Sequence, residues 1–134
     1  MGGRVIQLRG SEIGAADMDG RTLSVRFAPA LVLRSEGVPG VDVSTLWAQV
    51  ALLCFQDGEI DGEFPSFPAR LAGGTITVNR LSYVDMIPAP LDSAGYIRLV
   101  LNFVGATPDL TIVGTSATLE LLEHGKYLQH LPPA

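Results

Sequence analysis

The chain of 134 residues carries 14 acidic and 9 basic side chains, a net charge of −5, 47% apolar residues and only 17% charged ones. It is one domain's worth of sequence, with enough apolar matter for a core that needs no disulfide or metal, and it is too apolar to be disordered. The nine Lys and Arg residues never fall within three positions of one another, which argues against nucleic acid and anionic membranes as partners, since both demand clustered cations.

The opening MGGRVIQLRGSE lacks the apolar run of about seven residues that a secretory signal needs. Ile6 stands where the myristoylation pattern requires Ser or Thr, and LPPA at the other end has no prenylation cysteine. The longest apolar segments, 46–55 and 99–108, are about half a membrane-spanning helix. Cys54 is the sole cysteine, so no intrachain disulfide forms. A soluble, cytoplasmic protein is expected, with Cys54 an inert core thiol.

In chain order, RTLSVRFA places Leu23, Val25 and Phe27 on one side and Thr22, Ser24 and Arg26 on the other. This is the period-two signature of a half-buried strand, with DMDG before it as a turn and ALVLR after it as another strand. VDVSTLWAQVALLCFQDG admits two structures. Leu46, Trp47, Val50, Ala51, Leu53 and Cys54 fit helical spacing, with Asp42 or Ser44 as cap and Gly58 as terminator. Leu52 and Phe55, however, leave such a helix apolar nearly all round, as a strand buried on both faces is, so a strand is predicted over 43–56.

Residues 57–71 are irregular and belong on the surface. GGTITVNR predicts a strand with Ile76 and Val78 inward, and 87–91, with Pro88 and Pro90, predicts a surface bend. GYIRLVLNFVG is the longest predicted strand, with Ile97, Leu99, Leu101 and Phe103 on one face and Tyr96, Arg98, Val100, Asn102 and Val104 on a partly covered second face. After a turn at 105–109, DLTIVG and ATLELLE predict two more strands, pointing Leu110 and Ile112, then Leu119 and Leu121, inward. Eight or so short strands without intervening helices predict an all-β fold, an antiparallel β-sandwich or Greek-key barrel. A parallel sheet is excluded because its crossovers have no room.

The most suggestive chemistry is the acidic run Asp57, Glu59, Asp61 and Glu63, spaced by glycines like the start of a calcium loop. Counting from Asp57, the bidentate glutamate position falls on Pro68, so the helix-loop-helix calcium site fails. What remains is a solvated hairpin or edge strand whose like charges deter pairing. Glu59 and Glu63 on one strand face have a glycosidase-like separation, but a Gly-rich segment supplies no apolar pocket to raise a carboxyl pKa. His124 and His130, with Cys54, fall short of a zinc ligand set. No nucleophile elbow, phosphate loop or dinucleotide fingerprint occurs, so neither a metal nor a cofactor is expected. Phe64 and Phe67 in FPSFP, together with Tyr83, are weak candidates for a ligand-binding groove.

A charged fraction below the typical quarter and a mean hydropathy of +0.32 imply more apolar surface than one small domain hides. The expectation is therefore a non-enzymatic binding or structural module that forms a homo-oligomer, with the two-faced strand 96–104 a natural place for copies to pack. Two alternatives stand beside it. One is a β-barrel that binds a small molecule or carbohydrate, of unassigned identity, through Phe64, Phe67, Tyr83 and the acidic loop. The other is a hydrolase using the carboxylates of 57–63.

Overall fold

The computed structural model describes residues 3–35, 44–105 and 108–131. Its strands are β1 (Gly3–Gln7), β2 (Glu12–Asp19), β3 (Thr22–Ser35), β4 (Ser44–Gln56), β5 (Glu59–Asp61), β6 (Ala69–Val78), β7 (Leu81–Val84), β8 (Met86–Ala89), β9 (Leu91–Phe103) and β10 (Leu110–Leu131). Every pairing is antiparallel. The order runs β2-β6-β9-β10-β4-β3-β1-β8, with β5 on β10 and β7 on β6; a further β2–β3 pairing brings the path β2-β6-β9-β10-β4-β3 back to its start. The molecule is all-β, as its two-residue rhythm predicts.

The core is built from the inward side chains of these strands. Ile13, Leu23, Val25, Phe27, Leu53, Phe55, Ile76, Ile97, Leu99, Leu101, Leu110 and Ile112 are almost wholly buried. Each such side chain contributes about 1.5–3 kcal/mol relative to exposure. The inward sets predicted for β3, β9 and the first part of β10 are all buried; Val78 and Leu121 are half-buried against the core.

The stretch 44–56 is the strand β4. Val43, the first residue of the predicted strand, lies with Asp42 outside the described residues. The inner face of β4, Ala51, Leu53 and Phe55, is buried, and its outer face is half-buried. Cys54 is on that outer face, half-buried, with Sγ 3.6 Å from Ser24 Oγ. The core placement expected for it is therefore wrong: strict alternation from Leu53 and Phe55 turns the thiol outward.

Three further expectations are corrected. DLTIVG and ATLELLE form one strand of 22 residues, β10. The alternation breaks at a bulge between Gly114 and Ser116, where Gly95 and Tyr96 of β9 stand against Thr115, and Ile112 and Gly114 on one side of it and Ala117 and Leu119 on the other are all buried. Gly114 is required there, because a Cβ would lie 2.9 Å from the Gln56 carbonyl oxygen and 3.2 Å from Phe55. Second, 87–91 is no surface bend: Ile87 is fully buried in β8, which pairs with β1 at the end of the sheet. Third, the irregular region 57–71 contains β5 and the start of β6.

Polar staples hold the turns. Ser11, fully buried, donates from Oγ to the Gln7 carbonyl at 2.6 Å and accepts from the Leu31 amide at 2.9 Å. Asn79, in the β6–β7 turn at φ 57°, accepts from the Tyr96 amide and donates to the Ala94 carbonyl. These bonds fasten the β1–β2 turn to β3 and the β6–β7 hairpin to β9.

Candidate functional site

The acidic residues occupy one end of the molecule without converging. Asp57, in the turn after β4, is ion-paired with Arg21 at 3.2 Å and accepts from Thr115 Oγ1 at 2.9 Å. Glu59 and Asp61 are exposed on β5, opposite Val113 and Thr111 of β10, and Glu63 is exposed beyond it. Asp57 and Glu59 share a shallow depression of 220 Å³ with Met18, Gly20, Arg21 and Gly58. Among the described residues, no three His, Cys, Asp or Glu side chains gather as metal ligands. His124 and His130 are both exposed on β10.

The aromatic candidates are split. Phe64 and Phe67 meet at 5.5 Å between centroids, and Phe64 in turn meets Phe103 at 6.4 Å. Phe64 thus anchors the 57–71 segment on the core, whereas Phe67 is 42% exposed. Tyr83 is on β7 opposite Ile76, half-buried against the core, and none of the ring contacts among the described residues includes it.

A second constellation, which the sequence did not suggest, lies at the opposite end of the core face. The register pairs Arg4 of β1 with Arg34 of β3, Arg34 with Thr45 of β4, and Thr45 with His130 of β10, so all four side chains stand on one face. The Arg34 guanidinium sits 4.1 Å from the centroid of the Trp47 ring, and Trp47 packs edge-on against Tyr127 at 5.4 Å. Arg34 Nη2 donates to Gln49 Oε1 at 3.3 Å, and the buried Gln49 donates from Nε2 to the Glu123 carbonyl at 3.0 Å. Glu123, at φ 61°, opens a bulge that shifts the register of β10 between Leu122 and Lys126. Gly125 fits this bulge because a Cβ there would meet Arg34 at 2.8 Å.

Arg34 Nε is buried without a hydrogen-bond partner. Burial, and after it the charge of Arg4, lowers the Arg34 pKa. Beside the pair lies a cleft of 430 Å³ lined by Gly3, Arg4, Ala89, Pro90, Leu119, Glu120 and Leu121. The cleft forms because β9 leaves β10 at Leu119, while β8 and β1 stand across the gap.

On the reverse of this part of the sheet, the side chains that alternate away from the core are apolar. Pro88 is opposite Val5, Val5 opposite Leu33, Leu33 opposite Leu46, Leu31 opposite Ala48, and Val50 opposite Leu122. Leu31, Leu33, Leu46, Ala48, Val50 and Leu122 are half-buried. A dip of 230 Å³ among Ala28, Pro29, Ala48, Gln49, Val50, Glu123 and His124 marks where the bulges of β3 and β10 face each other across β4.

No protein-family model, curated protein or solved structure matches the chain. Its geometry alone therefore carries the functional reading.

Proposed function

We propose that the chain is a non-enzymatic, self-associating β module: a small Greek-key barrel body extended by a sheet whose outer face packs against a second copy. The observation that carries this reading is the apolar outer face Val5-Leu31-Leu33-Leu46-Ala48-Val50-Leu122, laid out across four adjacent strands. A face of this kind, opposite a filled core, is what a second sheet layer covers in sheet-on-sheet packing. A second copy of the chain supplies the same face, and a two-fold axis sets it against itself. An interface of standard size needs about 800 Å² per partner, roughly a tenth of the 7295 Å² exposed here.

The barrel body is supported by the return of the strand path through the β2–β3 pairing, and the Greek key by β4, which lies beside β10 after the chain has run through β6 and β9. The acidic run offers less to an enzyme or a carbohydrate site, because Asp57 is neutralised by Arg21 and Glu59, Asp61 and Glu63 stand in solvent. Light scattering on the wild type and on Leu46→Lys tests the proposal. A dimer or larger species that falls to the monomer mass in the variant is the expected result. A wild type that is monomeric at every micromolar concentration overturns it.

A further inference from the structure

The geometry points to a ligand site separate from that assembly face: Arg4 and Arg34 bind the oxoanion of a small amphipathic acid, whose apolar part lies along Ala89, Pro90, Leu119 and Leu121 in the adjoining cleft.

Four observations carry this. First, Arg4 and Arg34 are direct cross-strand neighbours, an arrangement of like charges that destabilises a sheet unless something sits between them. Second, among the described residues neither arginine has a carboxylate within ion-pair distance, although Arg21 and Arg70, both exposed to water, are paired with Asp57 and Glu12. Third, Arg34 is held in place before any ligand arrives: Trp47 lies under its plane, Gln49 takes one amino group, and its buried Nε is left with no acceptor. An orphaned buried donor is destabilising, and an incoming oxygen acceptor recovers that loss. Fourth, the cleft that Arg4 lines is walled by apolar side chains and has a volume of 430 Å³, within the usual range for small-molecule sites.

The chemistry selects the ligand class. Paired guanidinium groups suit the planar or tetrahedral oxygens of a carboxylate or phosphate, while the apolar walls favour a short hydrocarbon body over a bare ion. Glu120 also lines the cleft and disfavours ligands of high negative charge. Carboxylate and phosphate ester heads share the recognition, and the probes below tell them apart.

Trp47 is the only tryptophan in the chain and lies directly beneath Arg34, so its fluorescence reports the site. The experiment is a titration of the full chain with octanoate, octyl phosphate, acetate, inorganic phosphate and octyltrimethylammonium. The expected result is a saturable Trp47 change with octanoate or octyl phosphate at millimolar or lower concentration, with the short-chain and inorganic ions weaker by about tenfold or more. Arg4→Gln, an exposed position whose loss leaves the core intact, is expected to weaken binding about tenfold, the worth of one charge-assisted contact. Arg34→Lys keeps the charge but loses the fork, and is expected to weaken it as well. Three results overturn the proposal: no saturable change with either octyl anion, undiminished affinity in Arg4→Gln, or equal binding of the octyl cation.

Discussion

At the scale of single residues, much of the fold rests on side chains with no catalytic flavour. Ser11 is the clearest case: a fully buried hydroxyl that satisfies the Gln7 carbonyl and the Leu31 amide together. Ser11→Ala leaves both groups unpaired away from water, and a loss of about 1–3 kcal/mol is expected in urea unfolding, with the m-value unchanged. Gly74 makes a steric rather than a polar demand. A Cβ there would run into the Val100 carbonyl oxygen of β9, so Gly74→Ala is expected to cost about 1–3 kcal/mol through a shift of β6 against β9; an unchanged thermal midpoint would show that this approach is looser. Neither role was legible in the sequence. A serine in a short polar stretch and a glycine in a GG pair look like ordinary turn residues, and only the strands brought against them, β3 and β9, make them structural.

At the scale of elements, legibility followed the alternation and ended where the alternation slipped. The stretches 22–27 of β3, 74–78 of β6 and 97–103 of β9 each keep a period of two, and their inward residues were evident. β10 looked like two strands because its bulge at 114–116 resets the parity, and the irregularities after Phe27 and Leu122 hide the alignment of Arg34, Thr45 and His130 in the same way. Arg4 and Arg34 are thirty positions apart, so the count of scattered basic residues was sound and still missed the one place where pairing gathers two of them. β8 was hidden by its prolines, Pro88 within it and Pro90 just after it, which suit an edge strand as well as a bend. The ladder pattern also sets local stability. β4 is paired along its length with β3 on one side and β10 on the other, whereas β5 and β7 are short and largely exposed. Native-state hydrogen exchange is expected to find the slowest amides in 51–55 and the fastest strand amides in β5 and β7. Protection of β7 equal to that of β4 would mean that the β6–β7 hairpin is held by something beyond its single ladder.

At the scale of the whole molecule, the chain divides its apolar content between two jobs. One set of side chains fills the core, and a second set, on the reverse of β1, β3, β4 and β10, faces away from it. The low charged fraction anticipated surplus apolar surface but not its location. The strand expected to carry it, β9, has an outer face broken by Arg98 and by threonines of β6 and β10 on either side, although Tyr96 and Val104 are 52% and 57% exposed. The half-buried leucines of β3 and β4 form the more continuous patch. Hydroxyl-radical footprinting across a concentration series tests most directly whether a second copy covers them. As the protein is concentrated from a dilute solution, labelling of Leu31, Leu33, Leu46 and Leu122 is predicted to fall together while that of Tyr96 and Val104 stays constant. Labelling of the four leucines that is independent of concentration, or protection centred on Tyr96 and Val104 instead, would contradict the account.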